Sequence, residues 1–186
     1  MNILKEITDY KRTEVEARKT VNSRIQLEKR PLFTRETTSL SKQLKRSDRV
    51  GIIAEFKRHS PSEKWISKTS EVSSTTQGYF KAGASGVSVL TDTKYFKGVD
   101  NDLMAAREAN TGPILRKDFV VDEYQIIEAR SIGADAILLI AACLSPQETK
   151  QFGQIAQSLG LEVLLEVRDS GELETHVNPY IDLLGV

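Results

Sequence analysis

The chain has 186 residues, of which 39% are apolar and 28% charged, and its 26 basic and 26 acidic side chains give a formal net charge of zero. These values are typical of a globular protein and exclude a collagen-like or extensively disordered chain. The single cysteine, Cys143, excludes a disulfide framework, and the longest apolar run, residues 136–144, is too short to span a membrane. We therefore expect a soluble, cytoplasmic protein with no membrane partner.

The charges are unevenly distributed along the chain. Residues 1–58 hold 15 Lys and Arg against 8 Asp and Glu, whereas residues 59–186 hold 11 against 18. In the basic part the two signs alternate as on a solvated helix face, and no basic stretch carries the interleaved aromatic residues of a base-stacking surface. We therefore expect no nucleic-acid partner.

The first 49 residues predict helices. Residues 3–20 form an amphipathic pattern in which Ile3, Leu4, Ile7 and Tyr10 recur at helical spacing. A second short helical pattern surrounds Leu40 and Leu44. We interpret residues 1–49 as an N-terminal helical extension.

From residue 50 onward, apolar runs typical of strands alternate with amphipathic stretches. The six runs cover residues 50–56, 86–90, 113–115, 136–142, 162–167 and 181–186. Three of the joints carry a glycine, at 83, 133 and 160, where a left-handed residue can end a helix. Asp122 and the sequence from Ser145 to Glu148 are typical N-terminal caps. The pattern predicts repeated strand–helix units.

Nearly continuous apolar strands alternating with helices predict a parallel sheet covered by helices. An open dinucleotide-binding sheet requires a glycine-rich turn after its first strand, but residues 57–62 contain no glycine. The sequence therefore favours an α/β fold of the (β/α)8 TIM-barrel type. Because the chain ends inside the sixth strand, we expect residues 50–186 to supply strands 1–6 only.

Four charged residues lie within the strand runs. Side chains alternate along a strand, so Glu55 and Lys57 share a face of the first strand, while Lys117 and Glu166 end the third and fifth strands. The carboxyl ends of barrel strands carry the active site. We predict that the four converge there, although plain ion pairs that close the barrel end remain the alternative.

Other polar residues have simpler interpretations. Arg116 and Asp118 alternate to the outer face of the third strand, where we expect them to pair with neighbouring helices. His59 and His176 lack other ligands at metal-binding spacing, and Cys143 is typical of a small buried apolar residue. Ser60 and its neighbours form either an ordinary turn or a phosphate contact.

Five segments together resemble the indole-3-glycerol phosphate synthase family. These are residues 53–62 (IAEFKRHSPS), 87–96 (VSVLTDTKYF), 113–126 (PILRKDFVVDEYQI), 134–140 (ADAILLI) and 164–167 (LLEV). They match the first five strands of that family in order, and the resemblance extends to the helical extension. It implies a (β/α)8 barrel that uses no cofactor or metal.

The resemblance implies a carbon–carbon lyase (a carboxy-lyase) of tryptophan biosynthesis. The enzyme converts the phosphorylated substrate 1-(2-carboxyphenylamino)-1-deoxyribulose 5-phosphate to indole-3-glycerol phosphate, with loss of CO2 and water. By motif, Lys117 would be the general acid of ring closure, Lys57 would hold the substrate carboxylate, and Glu166 would be the general base of the aromatising step. Glu55 would join the same network. The implied substrate-binding residues are Ser60, Phe96, Phe119 and Leu138.

The chain departs from the family pattern in two places. Lys64 stands where the family usually has a glycine, and the chain ends before the seventh and eighth strands, whose loops normally supply the main phosphate site. We therefore expect the 186-residue chain to bind phosphate poorly, to lack turnover and to self-associate through unpaired strand edges. The alternatives are another phosphate-binding barrel, such as an aldolase forming a Schiff base at Lys117, and an inactive fragment.

Overall fold

The computed structural model describes residues 3–186. Within this range the helices are α1 (Ile3–Val21), α2 (Arg24–Glu28), α3 (Leu40–Leu44), α4 (Val72–Lys81), α5 (Asp100–Ala109), α6 (Glu123–Ser131), α7 (Pro146–Ser158) and α8 (Ser170–His176). Short 3-10 turns cover Pro31–Thr34 and Ala141–Cys143. None of these helices is long and apolar enough to cross a bilayer. The predicted division between the N-terminal extension (residues 1–49) and the barrel (residues 50–186) stays a prediction. Residues 1 and 2 of the predicted extension lie outside the described part of the chain.

Six parallel strands form the main sheet. They are β1 (Ile53–Phe56), β2 (Gly86–Leu90), β3 (Ile114–Lys117), β4 (Ala136–Ile140), β5 (Glu162–Glu166) and β6 (Leu183–Gly185). Their order in the sheet follows their order in the chain, and each neighbouring pair is parallel. A helix follows each of the first five strands, so the sheet curls as in a (β/α)8 barrel that is present through its sixth strand. The predicted fold class is confirmed.

The six strands are confirmed, but several of their predicted first and last residues differ from those in the structure. Residues 50–52 lie outside β1 because Gly51 has a φ of 67°, which extended pairing does not permit. The last run shortens to Leu183–Gly185. A two-stranded hairpin, His59–Ser60 with Lys64–Trp65, follows β1 and was not predicted.

Local signals at the helix ends are confirmed. The Asp122 carboxylate accepts the Tyr124 N–H at the start of α6. Ser145 and Glu148 form a reciprocal capping box at the start of α7. The three joint glycines all have positive φ, at 83, 133 and 160.

Helix α1 is confirmed, but its buried face differs from the predicted one. Ile7, Lys11 and Val15 are buried, whereas Ile3 and Tyr10 are exposed. Apolar spacing alone could not identify this face because a lysine occupies its centre. The ion pairs that allow Lys11 to be buried come from distant parts of the chain.

Helix α3 closes the sheet at the amino ends of its strands. Leu40 is fully buried in a cluster with Leu115 and Ala136, against which Ile53 and Leu164 also pack. A Cβ atom at Gly86 would lie 2.4 Å from Leu40 Cδ1, so only glycine permits this approach. The hydroxyls of Ser39 and Ser41 and the Ser41 N–H all donate to the Glu162 carboxylate, which fixes α3 to β5.

Candidate active site

A cavity of about 240 Å³ opens at the carboxyl ends of the strands, opposite α3. Its apolar lining includes Leu90, Leu138 and Ile140 from the ends of β2 and β4. Helix α1 contributes Leu4 to one side. The cavity therefore lies where barrel enzymes place their chemistry.

The four charged residues found in the strand runs meet at this cavity, and we call them the inner cluster: Glu55, Lys57, Lys117 and Glu166. The Lys57 Nζ lies 2.9 Å from Glu55 Oε1. The Lys117 Nζ lies 3.7 Å from Glu55 Oε2 and 3.9 Å from Glu166 Oε2. Glu55 thus stands between the two ammonium groups, a contact that spacing along the sequence did not reveal.

Within the inner cluster only Lys57 and Glu55 form a close ion pair, and the contacts of Lys117 are longer. The side chains of the cluster are about a third to a half exposed, so each keeps hydrogen-bonding capacity for a bound molecule. An ammonium can donate a proton to an oxygen, and a carboxylate can accept one. The cluster therefore offers both an acid and a base to one substrate.

Two aromatic rings form one side of the same cavity. The rings of Phe96 and Phe119 have centroids 6.0 Å apart and planes inclined by 39°. Phe96 lies in the loop after β2, and Phe119 lies in the loop after β3. With Leu138 they provide an apolar surface suited to a flat ring.

Comparison with known proteins identifies the family. The family model described as indole-3-glycerol phosphate synthase matches residues 4–186. The chain belongs to the indole-3-glycerol phosphate synthase family. The predicted family and the class of enzyme, a carboxy-lyase, are confirmed, and a Schiff-base aldolase is not favoured.

Curated relatives agree with the family match. The chain is 43% identical to the indole-3-glycerol phosphate synthase of Bacteroides thetaiotaomicron over 185 residues, which are 100% of this chain and 70% of the relative. It is 40% identical to the enzyme of Chloroherpeton thalassium, covering 100% of this chain and 73% of the relative. It is 42% identical to the enzyme of Acidithiobacillus ferrooxidans, and the match covers 100% of this chain and 72% of the relative.

Ser60 does not line the cavity at the carboxyl ends of the strands. Its hydroxyl accepts the Glu63 N–H at 3.0 Å and lies 3.2 Å from the Ser62 hydroxyl, so it stabilises the turn of the hairpin after β1. Lys64, at the position where the family usually has glycine, has a φ of 59°. A lysine in this left-handed conformation is strained.

The outer-face residues of β3 partly follow the prediction. Arg116 pairs with Asp100 of α5 and Glu128 of α6, as expected. Asp118 pairs with Lys11 of α1, but it also lines the cavity at the carboxyl ends of the strands. The alternation rule fails for Asp118 because the residue lies beyond the last residue of the strand.

Cys143 and the two histidines take no part in the inner cluster. Burial raises the pKa of the Cys143 thiol to about 12, so the thiol stays protonated at neutral pH. The Nδ1 of His59 lies 2.7 Å from the Tyr95 carbonyl oxygen, and that of His176 lies 2.9 Å from the Thr149 hydroxyl. Within residues 3–186, no three His, Cys, Asp or Glu side chains are grouped so that they could hold a metal ion.

Three further residues around the cavity are not among those predicted from the sequence. Asp92 and Arg168 line it, and Lys11 lies directly behind it. Asp92 and Arg168 each follow the carboxyl end of a strand, so their positions in the sequence could have indicated that they lie at the cavity. Lys11 gave no such signal, since it lies in the middle of a helix.

Proposed function

We propose that this site converts 1-(2-carboxyphenylamino)-1-deoxyribulose 5-phosphate to indole-3-glycerol phosphate, CO2 and water. The observation that carries the proposal is the position of Lys117, which lies between Glu55 and Glu166 beside the Phe96–Phe119 pair. An acid, a base and an aromatic surface are the groups that this reaction needs. Membership of the synthase family supports the same reaction.

In the first step, Lys117 is the general acid. The ring carbon that bears the substrate carboxylate attacks the ketone carbon, and a proton passes from Lys117 Nζ to the ketone oxygen. One carbon–carbon bond forms and the oxygen becomes a hydroxyl. The two nearby carboxylates hold the ammonium at the cavity and so orient it for this transfer.

Lys57 binds the substrate carboxylate until it leaves as CO2. Its ammonium is anchored on one side by Glu55 at 2.9 Å and is about a third exposed, so it retains donors for a second carboxylate. The electron pair released by decarboxylation returns to the ring. Lys57 then donates a proton to the new hydroxyl, which departs as water when its carbon–oxygen bond breaks.

Glu166 acts as the general base of the last step. Its side chain is the most exposed of the inner cluster, which leaves its oxygens open to the substrate. It accepts the proton lost from the carbon next to nitrogen as water departs, and the five-membered ring becomes aromatic.

The remaining predicted residues are proposed to bind the substrate. Phe96, Phe119 and Leu138 contact the aromatic ring. The phosphate contact implied for Ser60 stays a prediction, because its buried hydroxyl bonds within the hairpin turn and does not line the cavity.

The direct test is turnover of the deoxyribulose substrate, followed by the fluorescence of the indole product. Wild type in these kinetic assays is a chain that includes all eight strands of the barrel, since the 186-residue chain is expected to lack turnover. We expect product from this wild-type protein, and we expect Glu166→Gln to accumulate the intermediate that precedes dehydration. Glu174→Gln, a change at an exposed position of α8, is the matched control and should behave as wild type. A folded wild-type protein without turnover would contradict the proposal.

Location and association are also proposed. We place the protein in the cytoplasm, since its one cysteine remains a free thiol, and we propose no nucleic-acid partner.

In the described chain, β1 and β6 each pair on one side only, and Leu184 on β6 is 52% exposed. We therefore propose that the 186-residue chain self-associates, which sedimentation velocity at two protein concentrations tests. A sedimentation coefficient that does not change with concentration would contradict association.

A further inference from the structure

The ammonium of Lys11 lies behind the cavity and is almost completely buried, with 1% of the side chain exposed. Its Nζ lies 2.9 Å from Asp92 Oδ2, 3.0 Å from Asp118 Oδ1 and 3.2 Å from Glu14 Oε2. A buried lysine is rare, and its burial costs free energy unless carboxylates compensate the charge. Two of the compensating carboxylates belong to loops at the carboxyl edge of the sheet.

Each of these two carboxylates also holds a backbone segment of the cavity. Asp92 Oδ1 accepts the N–H groups of Tyr95 and Phe96, at 2.7 and 3.2 Å. Asp118 Oδ1 accepts the N–H of Phe119 at 2.8 Å. The two loops that carry the aromatic rings are therefore each organised by one carboxylate.

Lys11 connects the two carboxylates to each other. Without its charge, Asp92 and Asp118 would stand close together, buried and of like sign, and would repel each other. Their separation would increase, and the Phe96 and Phe119 backbones bonded to them would move apart. Glu14 does not line the cavity, and its other carboxylate oxygen pairs with Arg18 on the same helix.

We propose that Lys11 is a positioning residue that sets the spacing between Phe96 and Phe119 and thereby the affinity of the site for the substrate's aromatic ring. The proposal rests on the proposed function, because it deepens the role of the same cavity. It assigns to α1 a part in substrate binding that goes beyond the contribution of Leu4 to the cavity lining.

The first test compares Lys11→Met with Lys5→Met, a control at an exposed ion pair on the same helix. The probes are turnover of the deoxyribulose substrate and binding of 2-aminobenzoate, measured by its fluorescence. We expect Lys11→Met to raise KM by about tenfold or more with kcat changed much less, since the aromatic contacts act in ground state and transition state alike. Binding of 2-aminobenzoate should weaken by a similar factor, and Lys5→Met should leave both unchanged.

A second pair of variants covers the case in which Lys11→Met does not fold. Asp92→Ala removes the acceptor for the Phe96 N–H but leaves Lys11 paired with Asp118 and Glu14, whereas Asp92→Asn keeps an acceptor oxygen. We expect Asp92→Ala to raise KM and Asp92→Asn to restore most of the affinity. A folded Lys11→Met or Asp92→Ala protein with wild-type KM and wild-type 2-aminobenzoate binding would overturn the proposal.

The two probes separate this proposal from the reaction itself. If the wild-type protein binds 2-aminobenzoate without turning over the substrate, the proposed reaction fails, and the affinity ratio of wild type to Lys11→Met still tests the positioning role. If the wild-type protein does not bind 2-aminobenzoate, the positioning role is overturned.

Discussion

Arg116 and Lys117 are neighbours on β3, yet the two faces of this strand use charge in opposite ways. Arg116 is 1% exposed, and its guanidinium bonds to Glu128, Asp100, the Thr91 hydroxyl and a backbone carbonyl. We call Arg116, Asp100, Glu128 and Arg18 the outer cluster. Lys117 is 31% exposed, and its nearest carboxylate oxygens lie 3.7 and 3.9 Å away.

The difference separates charges that hold the fold from charges that remain available to a substrate. Burial alone would lower the pKa of Arg116, but the carboxylates of Asp100 and Glu128 outweigh it and raise the pKa. Its donors are committed to these partners, so the outer cluster has little capacity for a ligand. The inner cluster lacks such saturation. Substitutions should therefore affect stability on one face and catalysis on the other.

The largest expected effect is on catalysis at the inner cluster. Lys117→Ala removes the acid of ring closure, and loss of one positioned acid costs about 10²–10⁴-fold in rate. Steady-state kinetics should show this fall in kcat while the free energy of unfolding changes little. Lys150→Ala, at an exposed position of α7, should keep normal turnover. A Lys117→Ala protein with near-normal turnover would show that the assigned role is wrong.

Substitutions in the outer cluster should lower the free energy of unfolding rather than kcat. Arg116→Met leaves Asp100 and Glu128 with only Arg18 to compensate them, and breaking a buried pair from one side costs about 3 kcal/mol or more. Urea denaturation measures this loss. Arg24→Met breaks an exposed pair with Glu28 and should cost less than about 1 kcal/mol. Equal losses in the two variants would remove the distinction between buried and exposed pairs.

Asp118 pairs with Arg116 of the outer cluster and also lines the cavity, and it should make stability depend on acid pH. Burial alone would raise its pKa, but the charges of Lys11 and Arg116 outweigh burial and hold the pKa below its ordinary value. The folded state therefore favours the ionised carboxylate. This contribution to stability is present above the unfolded pKa of about 3.9 and is lost as the pH falls through the folded pKa.

The free energy of unfolding, measured by urea denaturation between pH 6 and pH 3, tests this dependence. Asp118→Asn should be less stable than wild type near pH 6 and should lose less stability on acidification. Asp9→Asn, at an exposed pair on α1, is the matched control for loss of one carboxylate. Identical slopes for wild type and Asp118→Asn would mean that another group causes the acid loss.

The smallest expected effect is in the hairpin after β1. Lys64→Gly relieves the left-handed strain at Lys64 but increases the freedom of the unfolded chain, so we expect stabilisation by no more than about 1 kcal/mol. Lys45→Gly, at a residue with a φ of −85°, has no strain to relieve and should destabilise. Thermal unfolding of both variants gives the comparison, and a lower melting temperature for Lys64→Gly would contradict it.

The sheet could be predicted because its signals are local. Six apolar runs, glycines at the joints and two helix caps each act within a few residues, and the structure confirms the six strands and the caps. The start of β1 was predicted three residues early, since the left-handed conformation of Gly51 is not encoded by apolar composition. The hairpin after β1 is too short to produce a strand pattern.

The candidate site could be predicted only where alternation along a strand applies. Glu55, Lys57, Lys117 and Glu166 follow from strand geometry, and their convergence is seen in the structure. The burial of Lys11 could not be predicted, because its partners Asp92 and Asp118 come from segments far along the chain. The roles of the inner cluster came from resemblance to the family and stay predictions.

The attachment of α3 to β5 has a consequence for synthesis. Ser39 and Ser41 lie 123 and 121 residues before their partner, Glu162. Since a ribosome adds about 5–20 residues per second, roughly 6–25 s pass between the emergence of α3 and that of its anchor. During this interval Leu40 lacks the complete surface that later buries it. The amino ends of the strands are therefore closed by α3, which is synthesised early, but α3 is anchored only once β5 has been synthesised.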